Sequence, residues 1–112
     1  SEFLNLKIRQ LSAETSHDFI EWCGLIEGNA PNLLLEVGGK KNKQGLYYEF
    51  IEEYPDYSPK AKMTISRNKF YKWLVAYSMY KYECPPDEGR DVDGRWIRFR
   101  NKHELEVQAK II

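Results

Sequence analysis

Apolar and polar positions along the chain change period several times, and each change marks an expected element. Leu4, Leu6 and Ile8 alternate with Asn5, Lys7 and Arg9, a period-two pattern that predicts a half-buried strand. Phe19, Ile20, Cys23 and Ile26 then fall at helical spacing behind Ser12 or Thr15 as candidate caps. Glu14 and Asp18 stand near the positive end, and the helix is expected to stop near Gly28. The next stretch holds Pro31, the run Leu33-Leu34-Leu35, Gly38-Gly39 and the lysines Lys40, Lys41 and Lys43, which predicts a loop around a short apolar anchor with its lysines solvated.

From about Lys43 to Tyr54 the stripe Leu46, Tyr47, Phe50, Ile51 and Tyr54 predicts a second helix, with Glu49, Glu52 and Glu53 on its wet face. Pro55 and Pro59 end it in a turn. A third helix starts at Thr64 or Ser66 and packs Phe70, Trp73, Leu74 and Tyr77 in a narrow arc. Its opposite face carries Asn68, Lys72, Val75 and Met79, flanked by Lys69 and Tyr71, with Arg67 in the first turn. Beyond it, Tyr80 to Glu83 reads as a strand, Cys84 to Gly94 as a turn-rich loop, and Arg95 to Arg100 as a second strand with Ile97 and Phe99 inward and Trp96, Arg98 and Arg100 outward.

Composition sharpens this picture only when it is split. The chain of 112 residues carries 17 Lys plus Arg against 17 Asp plus Glu. From Lys60 to Lys102, however, 11 basic residues face 5 acidic ones, whereas residues 1–59 carry 5 basic and 10 acidic. A polyanion binder needs local positive potential rather than a positive total. Helix and strand both offer cations outward, as a recognition helix followed by a wing would. Arg67 and Asn68 suit base edges, bidentate to guanine and adenine, while Lys69, Lys72, Arg98 and Arg100, with Arg95 beside them, suit phosphate. Tyr71 and Trp96 suit either stacking on unpaired bases or a place at the edge of the core. Asp87, Glu88, Asp91 and Asp93 around Arg90 argue against phosphate at the tip of the wing.

Catalytic chemistry is not indicated. His17 and His103 are isolated, Gly38-Gly39-Lys40-Lys41 lacks phosphate-loop spacing, and no HExxH, GxSxG or DxDxDG motif occurs. Cys23 and Cys84 lack CxxC spacing and read as reduced, partly buried thiols. No cofactor, metal site or catalytic residue is therefore expected. No apolar run has the length of a membrane span and no signal-peptide pattern opens the chain, so a cytoplasmic protein without a membrane partner is expected. The opening Ser1-Glu2-Phe3, without Met, reads as a cloning remnant on a piece of a larger protein.

Four segments carry a family resemblance: Leu46-Tyr47-Tyr48-Glu49-Phe50, Tyr54-Pro55-Asp56-Tyr57, the run Thr64 to Leu74, and Gly94-Arg95-Trp96-Ile97. Together they resemble the C-terminal winged-helix domain of phage, plasmid and poxvirus-type primase-helicases, including the virulence-associated E-like replication proteins of mobile elements. The resemblance covers roughly residues 43–101. It implies an α+β, mainly helical winged-helix fold over residues 43–102, preceded by a strand, helix and loop extension in residues 1–42 and followed by a tail, 103–112. It also implies a non-catalytic module that binds duplex or forked DNA for a replication helicase or primase whose ATPase motifs lie elsewhere. The alternative is a winged helix that contacts other subunits of a replication assembly.

Overall fold

The computed structural model describes the backbone of residues 2–102 and the side chains of residues 6–102. The expectations placed on His103 and on the tail lie outside the described residues. Among the described residues the fold is α+β, with four α-helices and one small antiparallel sheet.

The first element departs from expectation: α1 (Glu2–Glu14) is a helix where alternation predicted a strand. Leu4, Leu6 and Ile8 fit period two, but Leu4, Ile8 and Leu11 also fit the i, i+4, i+7 spacing of a helix, and this second pattern is realised. Leu11 is buried while Leu6 is exposed. Thr15, a candidate cap, instead donates its hydroxyl back to the Leu11 carbonyl at 2.7 Å, and Ser16 caps α2 (His17–Trp22) by accepting from the Phe19 amide. This helix ends earlier than Gly28. At Gly24 (φ +77°) a Cβ would lie 2.5 Å from the Ala30 carbonyl oxygen, so only glycine fits the left-handed position that stops the helix. The loop that follows holds Leu35 fully buried in a 3-10 turn, pinned from outside by the Tyr82 hydroxyl donating to the Leu35 carbonyl at 2.7 Å.

Asn42 joins three elements. It closes the two-residue strand β1 (Lys41–Asn42), its Oδ1 caps α3 (Lys43–Glu53) through the Gly45 amide, and its Nδ2 donates to the Asp93 carbonyl at 3.0 Å. A 3-10 turn at Pro55–Tyr57 leads to α4 (Arg67–Tyr82), capped by Ser66. The expected strand at Tyr80 to Glu83 is the last turn of α4, which runs on to Glu83 in the left-handed region (φ 58°). The hairpin instead begins inside the expected loop, with β2 (Asp87–Asp91) paired antiparallel to β3 (Gly94–Arg98), and β1 adds to the other side of β3. Asp-Glu-Gly-Arg-Asp has little strand propensity, yet charge is common on an edge strand, where it discourages further pairing.

One aromatic core binds these elements. Phe19 and Trp22 of α2, Phe50 of α3 and Phe70 and Trp73 of α4 pack together, with Phe50 and Phe70 stacked at 5.3 Å between ring centroids. Ile97 and Phe99 close it from the sheet side. The first 42 residues thus contribute Phe19, Trp22, Cys23 and Leu35 to the same cluster as α3 and α4. Among the described residues no helix is long and apolar enough to cross a membrane.

Candidate nucleic-acid interface

Side-chain parity in the hairpin decides which cations share a surface. Cross-strand partners project to the same face, so Arg90 and Arg95 point together with Glu88 and Ile97, and Asp87 and Arg98 point the other way with Gly89 and Trp96. The first face rests on the helices through Ile97, and beyond the edge of the core it overhangs the first turn of α4. There Arg95 donates to the Asn68 side chain at 3.3 Å.

The result is a groove of about 490 Å³ between hairpin and helix, lined by Gln44, Ser66, Arg67, Asn68, Tyr71, Arg90, Gly94 and Arg95. No acidic side chain belongs to this lining, and no described ion pair ties Arg67, Arg90 or Arg95 to a carboxylate. Three guanidiniums and the exposed end of a 16-residue helix therefore present positive potential to one concave surface. Tyr71 forms the floor. Burial pushes its phenol above the ordinary value while the Arg67 and Arg95 charges pull it back, leaving a neutral ring at physiological pH.

Four of the expected site residues, Arg67, Asn68, Tyr71 and Arg95, are brought together here. The other five are not. Lys69 and Lys72 are exposed on α4 outside the groove, the Lys69 ammonium lying 6.0 Å from the Trp73 ring centre. Trp96 is half-buried on the opposite face of the sheet, with the Lys40 ammonium 4.5 Å from its ring centre. Arg98 and Arg100 were expected to offer charge outward, but both are held by Asp87, at 2.6 Å and 3.1 Å respectively. The expectation that the outward residues of β3 form the cationic face is corrected accordingly: the open arginine of that strand is Arg95, on the inward parity. Tyr71 belongs to the buried set rather than to an exposed stacking surface.

Gln44, Ser66, Arg90 and Gly94 line the groove without having been expected there, and Arg90 is the charged one among them. The signal for Arg90 was present in β2, where alternation separates Glu88 and Arg90 from Asp87 and Asp91. Glu88, on the same face as Arg90, is paired with Lys43, a buried lysine at the start of α3, which offsets its charge. The chain matches no protein-family model, no curated protein and no solved structure.

Proposed function

We propose that this chain is a non-catalytic DNA-binding module of winged-helix type, with α4 as its recognition helix and the β2–β3 hairpin as its wing. The order α2, β1, α3, α4, β2, β3 and the sheet order β1-β3-β2 are compatible with that arrangement. The observation that carries the reading is the groove in which Arg67, Arg90 and Arg95 converge without an acidic neighbour in its lining. Arginine matches phosphate with a planar fork of donors, and Asn68 and Gln44 add neutral hydrogen-bonding groups beside it. The parent assembly, a replication helicase or primase, rests on the resemblance of residues 43–101 alone.

Anisotropy titration of labelled DNA at several salt concentrations tests this. Three arginines on phosphate give a slope of log affinity against log salt of roughly −3, and Arg67→Ala with Arg95→Ala should reduce its magnitude by about two. Absence of binding at low salt, or a slope unchanged in the double variant, overturns the reading. A second reading, contact with other proteins of a replication assembly, is favoured by the outer face of the hairpin, where Asp87 pairs with both Arg98 and Arg100 and offsets part of their charge. It takes precedence if no DNA is bound.

A further inference from the structure

We propose that a second, aromatic groove beside the arginines receives an unpaired base of the same DNA strand, so that the surface favours a single strand or a fork over uninterrupted duplex. This rests on the DNA-binding reading above and adds a base site to it.

The second groove, of about 570 Å³, is walled by Tyr47, Tyr48, Pro59 and Ile65, with Lys60 at its rim. It shares Ser66 and Arg67 with the arginine groove, so the two concavities meet across the first turn of α4. Its walls differ in freedom. Tyr47 is buried, and its hydroxyl is committed to the Ile65 carbonyl at 3.1 Å. Tyr48 is 50% exposed and meets Tyr47 at a tilted 52°. Its hydroxyl accepts from Gln44 Nε2 at 2.8 Å, which fixes the direction of the ring. Gln44 in turn lines the arginine groove, so one side chain couples the aromatic wall to the cationic one.

Cations next to an exposed, oriented tyrosine match the chemistry of a nucleotide whose base is out of the stack. The phosphate is drawn to Arg67, Arg90 and Arg95, and the base offers its π-face to Tyr48. Paired bases inside a duplex cannot supply that face, whereas every unpaired base can, so the preference concerns strandedness rather than sequence. An apolar partner peptide would leave the adjoining arginines unmatched.

The test compares blunt duplex, forked duplex and single-stranded DNA on the whole chain, using Tyr48→Ala, Tyr48→Phe and the Arg67→Ala, Arg95→Ala double variant. The wild type should bind forked and single-stranded DNA more tightly than duplex. Tyr48→Ala should weaken those two by roughly tenfold and leave duplex binding unchanged, while Tyr48→Phe retains the stacking surface and stays close to wild type. A fluorescent adenine analogue at the unpaired position should be quenched by the wild type but not by Tyr48→Ala. Thermal melting of Tyr48→Ala should match the wild type, since the residue is half exposed. Loss of binding in the arginine variant with full binding in Tyr48→Ala overturns the base site and spares the DNA-binding reading. A wild type that binds none of the three DNAs overturns both.

Discussion

Asp87 and Arg98 are register partners across β2 and β3, and the Asp87 carboxylate also accepts from Arg98 Nε at 3.2 Å and Nη2 at 2.6 Å. The other oxygen of the same carboxylate meets Arg100 at 3.1 Å. One acid thus holds two of the cations nearest the end of the hairpin. Asp87→Asn keeps the shape and removes the charge, so it frees positive potential on the outer face; because the arginine groove opens on the opposite face, DNA affinity and its salt slope should stay within about twofold of the wild type. Salt-dependent titration of this variant decides it: several-fold tighter binding with a steeper slope would mean that DNA also runs along the outer face of the hairpin.

Phe70 holds the core together. Its ring stacks on Phe50 and meets Phe19, Trp22 and Tyr47 edge-on at 5.7 to 5.9 Å, and it is fully buried. Phe70→Ala should cost about 3 to 5 kcal/mol, through lost transfer energy and the cavity left among rings that cannot collapse into it. Denaturant unfolding measures this, and a loss below about 1 kcal/mol would mean that the cluster repacks.

The parts of this molecule legible in its sequence are those decided locally. α3 and α4 show long apolar stripes, and Ser66 is one of the two caps the spacing suggests; α3 forms where expected and α4 starts where expected but runs on through Tyr82, over the start of the expected strand. Where two local patterns compete, tertiary packing chooses: Leu4, Leu6 and Ile8 fit period two, Leu4, Ile8 and Leu11 fit a helix, and α1 forms as a helix packed on α4. The site shows the same limit. Arg67, Asn68, Tyr71 and Arg95 were identifiable by residue type and position, but which strand pairs with β3 is a register question. Only that register sets Arg90 beside Arg95 and Asp87 beside Arg98.

Gly89 sits opposite Trp96, and the indole occupies the space a side chain would need: a Cβ at Gly89 would lie 2.5 Å from Cζ2 and 2.7 Å from Cε2 of the ring. Gly89→Ala should therefore displace Trp96 or part the strands, costing about 1 to 3 kcal/mol as an overpacking substitution. In a Trp96→Leu background the same change should be nearly neutral. A double-mutant cycle reads the difference, and equal costs in the two backgrounds would show that the clash is not the cause.

Alkaline pH should weaken the fold through its tyrosines. Burial first, and then the neighbouring Glu21 carboxylate, push the Tyr54 phenol from its ordinary value of 10 up to about 12, and burial also raises Tyr57, Tyr77 and Tyr82. Below about pH 10 both folded and unfolded chains keep these protons, so the phenols add no pH slope. Between about pH 10 and pH 12 the unfolded chain releases them while the folded chain retains them, so stability falls as pH rises. The denaturation midpoint should drop across that window, and Tyr54→Phe, which keeps the ring against Phe50 and has no proton to lose, should flatten part of the drop. An identical slope in that variant would mean that Tyr54 ionises as easily in the folded chain as in the unfolded one.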